Sequence, residues 1–393
     1  MKNPLLKPGL VLLAVVGCFT WSLRAEQART LQEARTLSAK NSKRVLLEFY
    51  HDNCEYCDQV ARDAESDTSL KLALARVVLL KLSVLEREGS DLKEHYKVGS
   101  YFPVFIMTDS AGRAYARWTG YTGVDRFINS FNQAMSSHVT VDERTNRCDA
   151  NPTSADALFL ADFFTDSQEY LTARKYVRLL QRLYGAQLDF TYRLFRVTAD
   201  AVWNDLLPFD SLTSAADEIR AKSQANQHNL GPMAQIMANV ARKVGKTGTL
   251  ESYLMAGIEA TSRRTDTAGI ELHRDLLADY ALHVLIDTAE ALKVKKMALG
   301  DGWEKNPAKC FQFGEWCFRR NINLADAEHY VRLATEKASG DKFRATHLRL
   351  LAEICFTRGK TNEAIELANQ AMAFDPSAVW FEKKLNDWRK SKE

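Results

Sequence analysis

VLLEFYHDNCEYCDQV, residues Val45 to Val60, runs from an apolar segment directly into two cysteines with two residues between them. Val45 to Phe49 is β-branched and aliphatic with no helical period, which predicts a strand. It is too apolar to have a solvated face, so it is expected at the centre of a sheet. A helix is expected to follow near Cys57, with Cys54 at or just before its N-terminus. Unpaired backbone N–H groups and the helix dipole favour an anion at that end. A cysteine placed there has a lowered pKa and becomes a nucleophile near neutral pH.

Three chemistries use cysteines at this spacing: a redox-active dithiol, a structural disulfide and half of a metal site. Zinc wants four ligands, commonly a second C-x-x-C or a pair of spaced histidines. His51 and Cys148 alone do not complete such a set, and the eight histidines show no ligand spacing. No metal and no cofactor are expected. The two disulfide readings stay open on the motif alone. Tyr50 and His51 flank it. A protonated His51 would stabilise a Cys54 thiolate; a solvated loop histidine is the plainer reading.

Around the motif the chain resembles the thioredoxin superfamily. VLLEFYHDNCEYC has the pattern of that family's strand leading to its active site. VVLLKLSVLE, Val77 to Glu86, looks like the second core strand. YKVGSYFPVFIMTDSAGRAYARWTGY, Tyr96 to Tyr121, looks like the segment that carries the proline loop and the last hairpin. VDRFINSFNQAM, Val124 to Met135, would be the closing helix. The resemblance covers residues 29–137 and implies an α/β thioredoxin fold. It also implies roles. Cys54 and Cys57 would form the active disulfide. Glu48 matches the buried acid that moves the proton of the second cysteine, and Lys81 the lysine near that acid. Pro103 matches the cis-proline that faces the cysteines and, with Phe102, would hold the substrate chain. Gly112 would sit in the hairpin turn and Gly120 after the last strand. Three departures stand out. Glu55-Tyr56 replaces the usual Gly-Pro, and an acid beside Cys54 disfavours its thiolate. Strong oxidants depend on a stabilised thiolate, so the pair is expected to be less oxidising. Phe102 replaces a small or β-branched residue, and no helix-kinking proline follows Cys57.

The N-terminus reads as a targeting segment, residues 1–25. Lys2 and Lys7 precede the apolar run Gly9 to Phe19, which is shorter than the about 20 residues a spanning helix needs. That is the form of an export signal. Val15-Val16-Gly17-Cys18 fits a loose lipobox in which Cys18 would be lipidated. Cleavage after Ala25 and an uncleaved anchor through Leu23 are the other outcomes. Each places the remaining chain outside the cytoplasm, in the periplasm or on a membrane facing it. The net charge of +3 over 393 residues, with no basic run, excludes a nucleic-acid partner.

Residues 138–154 are polar, with Asn151-Pro152 as a turn signal, and are expected to be a linker. Residues 155–393 carry helical periods throughout. Leu348, Leu351, Ala352, Cys355, Ala364, Ala368, Ala371 and Pro376 fall at tetratricopeptide spacing, with Gly359 in the turn. Phe311, Gly314, Phe318, Ala327, Val331 and Ala334 repeat the pattern, as do Leu160, Ala161, Phe164, Ala173, Val177 and Leu180. Between them, Leu272, Leu276, Leu277, Tyr280, Val284 and Leu285 mark one apolar face. The region resembles a divergent tetratricopeptide solenoid, an all-α stack whose concave face commonly binds a protein or peptide. Cys310 and Cys317 are two turns apart, about 10 Å, too far to bridge within a straight helix. Cys355 reads as a small core residue; Cys148 could pair or stay free. The expected function is an exported thiol–disulfide oxidoreductase acting on protein thiols and disulfides, with client or complex binding on the helices. The alternative is an envelope scaffold whose thioredoxin fold binds with little turnover.

Overall fold

A computed structural model describes residues 26–51, 54–99, 101–185, 188–375 and 379–390. The expected signal or anchor, Cys18 and Pro376 lie outside them. Five strands form one sheet in the order β1-β3-β2-β4-β5. They are β1 (Glu26–Ala28), β2 (Val45–Tyr50), β3 (Val78–Ser83), β4 (Val104–Thr108) and β5 (Ala114–Thr119). β2 lies parallel to β3 and antiparallel to β4, so the apolar stretch that opens the motif is the central strand, as its composition predicts. β1 adds a parallel edge beside β3 just before the expected domain start at residue 29.

Side chains alternate across the sheet. Val45, Leu47 and Phe49 pack with Leu80 and Ile106 on the face covered by α1 (Leu31–Asn41). Leu46, Leu79, Phe105 and Met107 pack on the other face, under α2 (Glu55–Ser66), α3 (Thr68–Leu74) and, further along the chain, α5 (Val124–Ser136). α4 (Arg87–His95) carries Leu92 to the first face. Strand period two therefore assigns Glu48 to the same face as Leu46, beneath α2.

The expected linker is mostly helix. α6 (Val141–Ala150) starts in a capping box: the Thr140 hydroxyl accepts from the Glu143 N–H, and the Glu143 carboxylate accepts from the Thr140 N–H. Val141 and Cys148 are buried. Arg144 and Arg147 both donate to the buried carboxylate of Asp156, at 2.6–2.9 Å. Those contacts fasten α6 to α7 (Ser154–Asp166) and make the segment part of the packed structure.

From α7 the chain is helical: α8 (Tyr170–Tyr184), α9 (Thr191–Trp203), α10 (Phe209–Ala221), α11 (Ser223–Val244), α12 (Glu251–Thr261), α13 (Thr267–His283) and α14 (Thr288–Leu299). There follow α15 (Pro307–Arg320), α16 (Leu324–Glu336), α17 (Asp341–Thr357), α18 (Thr361–Phe374) and α19 (Val379–Lys390). Short turns join α7 to α8, α15 to α16 and α17 to α18, the three places where the repeat spacing was read. Ala352, Cys355, Ala364, Ala368 and Ala371 are fully buried between α17 and α18, and Gly359 turns with φ +78°. On α13, Leu276 is buried, but Leu285 lies beyond the helix end and is 57% exposed. None of the described helices is long and apolar enough to cross a membrane.

Gly314 is where α15 and α16 touch. A Cβ there would lie 2.4 Å from Val331 Cγ2 and 2.9 Å from the Ala327 carbonyl oxygen. Gly314→Ala is expected to cost about 1–3 kcal/mol despite its better helix propensity. A urea midpoint at or above the wild-type value would contradict this packing.

Candidate active site

Cys54 is the N-cap of α2, and its Sγ accepts the Cys57 backbone N–H at 3.2 Å. The two cysteines are joined in a disulfide, with Cα atoms 5.1 Å apart. Cys54 is half-buried, whereas Cys57 is 7% exposed and sits in the first turn. This asymmetry leaves Cys54 open to attack and Cys57 shielded. Glu55 and Tyr56 between them both project to solvent.

Glu48 lies three residues before His51 on the central strand and is 2% exposed. Its register partner on β3 is Lys81, and Lys81 Nζ approaches Glu48 Oε2 at 3.4 Å. Burial pushes the Glu48 carboxyl above the usual carboxylate range, and the Lys81 ammonium pulls the other way. The Lys81 side chain reaches partial exposure. A buried carboxyl held towards its neutral form is suited to exchange one proton.

The Phe102–Pro103 peptide bond is cis, the form the resemblance implies. Pro103 is buried and its carbonyl accepts from the Gly120 N–H at 2.8 Å. The Phe102 ring stacks on His51 with centroids 6.0 Å apart, which ties the loop before the cysteines to the proline loop. Tyr101 is 80% exposed beside it. The Tyr121 hydroxyl donates to Asp63 of α2 at 2.7 Å, fixing that helix to the chain after β5.

Sequence reasoning passed over Arg117. This β5 side chain is 8% exposed. It donates to the carbonyls of Tyr96 and Lys97 at 2.9 and 3.1 Å, in the segment leading into the proline loop. Burial lowers its pKa to about 10, opposed by Asp166 and then Glu169 of the helical region. Glu169 also pairs with Lys97 at 2.7 Å. Gly99 lies so close to Gln168 that a Cβ would come within 2.3 Å of Nε2. The turn between α7 and α8 thus rests on the loop before the cis-proline.

The other described cysteines, Cys148, Cys310, Cys317 and Cys355, are free and buried. Cys310 and Cys317 share α15, as the spacing requires. Glu328, Cys355 and Glu363 bring three donor atoms within 4.8 Å of one another. The space is already filled by cations: Lys360 and Arg332 lie 2.8 Å from Glu328, and Arg358 also pairs with it. Burial alone would raise the Glu328 carboxyl; those cations hold it down at about 2. The cluster is an ion-pair network rather than a metal site.

A thioredoxin-like domain family model matches residues 31–135. Two curated relatives align over the same part of the chain. The thiol:disulfide interchange protein DsbD of Actinobacillus pleuropneumoniae is 27% identical over 114 residues, 28% of this chain and 19% of that protein. The protein of the same name from Ralstonia nicotianae is 30% identical over 117 residues, 29% of this chain and 19% of that protein. The chain therefore spans about a fifth of the length of these relatives. The solution structure of a thioredoxin from Thermus thermophilus is 25% identical, covering 28% of this chain and 88% of that one, with a TM-score of 0.26.

Proposed function

We propose that this chain, whose residues 31–135 form a thioredoxin-like domain, works as an exported thiol–disulfide oxidoreductase. The observation that carries the reading is the Cys54–Cys57 disulfide at the start of α2, with one sulfur accessible and the other shielded. In the reducing direction, the Cys54 thiolate attacks one sulfur of a substrate disulfide. An S–S bond forms to Cys54, the substrate bond breaks, and one substrate thiolate leaves. Glu48 then takes the Cys57 proton. The Cys57 thiolate attacks Cys54 Sγ, which releases the second substrate thiolate and closes the Cys54–Cys57 bond. Two electrons pass from the dithiol to the substrate, and an external dithiol must return them. Lys81 tunes the Glu48 proton affinity, and Phe102 and Pro103 hold the substrate chain alongside.

The helical region extends the site towards a protein partner. Its hairpins bury small residues at tetratricopeptide spacing, which supports reading it as a divergent repeat stack. Residues 1–25, including Cys18, would deliver the chain to the periplasm or hold it at a membrane facing that space.

Trapping tests the proposal. Cys57→Ser, fully reduced and then exposed to oxidised insulin, should accumulate a mixed disulfide through Cys54 that dithiothreitol releases. Cys54→Ser should trap nothing. Equal trapping by both variants, or by neither, would leave the scaffold as the better description.

A further inference from the structure

Outside the dithiol site, a groove of about 690 Å³ runs between α9, α11 and α15. Its lining includes Arg196 and Trp203 on α9, Arg242 and Lys243 on α11, and Arg319 and Arg320 on α15. The charges there are unequal. Arg242 and Arg320 are both mostly buried and share one carboxylate, Asp279, which Arg320 contacts at 2.6 Å and Arg242 at 3.4 Å. Burial and the nearby Arg320 lower the Arg242 pKa to about 10. Asp200, the acidic residue of the lining, has its carboxyl pushed up by burial, and the nearby Arg196 pulls it back down. Arg196 and Arg319 project to solvent, but Arg319 pairs with Glu315 at 2.7 Å and Lys243 with Asp205 at 3.7 Å, so the excess positive charge rests mainly on the Arg242–Arg320 pair. Trp203 is 44% exposed, with the Lys243 ammonium 5.0 Å from its ring centre.

The groove's α9 wall packs on the helix that reaches the dithiol domain: Arg174 of α8 donates to the Thr198 hydroxyl of α9 at 3.0 Å. Tyr101 stands next to Phe102–Pro103, and the α7–α8 turn before Tyr170 rests on the same loop.

We propose that this groove docks an acidic segment of a protein substrate and thereby presents that substrate's disulfide to Cys54. The proposal rests on the oxidoreductase reading for the second half of that statement and on the groove alone for the first. An extended carboxylate-rich chain can reach the recessed Arg242 and Arg320, which share a single counter-charge, while its backbone lies against Trp203.

The test uses the full chain and the double variant Arg196→Glu/Arg319→Glu, two exposed positions away from the dithiol. Binding of a fluorescent oligoglutamate peptide should weaken at least about tenfold in the variant, and should weaken with added salt in the wild type. For a disulfide peptide carrying an oligoglutamate tail, KM should rise about tenfold in the variant with kcat unchanged. The untailed peptide should react equally with both proteins. Equal oligoglutamate affinity in the two proteins would overturn the proposal. So would variant-sensitive binding of phosphatidylglycerol vesicles without oligoglutamate binding, which would make the occupant a lipid headgroup. Failure of either protein to reduce the untailed peptide would sink the oxidoreductase reading alone, because the binding comparison decides the groove independently.

Discussion

Glu48→Gln is expected to make the protein more stable at neutral pH and slower in its chemistry. Burial raises the folded-state pKa of Glu48 above its ordinary 4.5. Below 4.5 the group is protonated whether the chain is folded or not. As pH climbs past that value, the unfolded chain releases the proton while folded Glu48 retains it. Stability therefore falls with rising pH until the folded-state pKa is passed. Glutamine is neutral throughout and lacks that fall. Lys81 loses a partner but remains partly solvated, so its loss is small. Urea denaturation should find the variant close to wild type below pH 4.5 and more stable at about pH 8. Stopped-flow kinetics should find resolution by Cys57 slowed by about 10²–10⁴, the usual contribution of a positioned proton acceptor, with attack by Cys54 little changed. Equal slowing of both steps would remove Glu48 from the mechanism.

Arg117→Ala carries the largest expected loss of stability, about 2–4 kcal/mol. The variant leaves the carbonyls of Tyr96 and Lys97 without their donor and takes away one of the two arginines near Asp166, which keeps Arg193. Arg117→Lys should recover less than half, because one ammonium cannot fork to two carbonyls. Denaturant midpoints for the three proteins check this, and indistinguishable midpoints would refute it. A fragment ending at residue 137 would keep the two carbonyls but lose Asp166 and Glu169, so its proline loop should be less firmly held.

Features set by short-range rules were legible in the sequence. Val45 to Phe49 could only be a buried strand, and a cysteine just before a helix start falls where the N-cap forms. Pro103, Gly112 and Gly120 mark backbone shapes that few other residues adopt. Arg117 was hidden for the opposite reason. AYARWT alternates like a half-solvated strand, and the partners of Arg117 lie 20 and 21 residues away or in another region of the chain. The α6 segment was misread on composition, since VDERTNRCDA is polar. Yet Thr140 followed by Glu143 is a capping-box spacing, and that local signal pointed to a helix start. The approach of Gln168 to Gly99 depends on how two regions pack and has no signature in either stretch.

The four buried thiols of the helical region have a consequence for electron flow. Burial raises the pKa of Cys148 and Cys310, lifts Cys317 to about 12 and Cys355 to about 11. Each is thereby kept in its unreactive protonated form and out of reach of a colliding disulfide. Among the described residues, a pair of electrons can enter or leave the chain at one port, Cys54–Cys57. The helical stack is insulated by the same packing that holds it together. Cysteine can serve there as a space-filling side chain, even in surroundings that oxidise exposed thiols, without opening a second circuit.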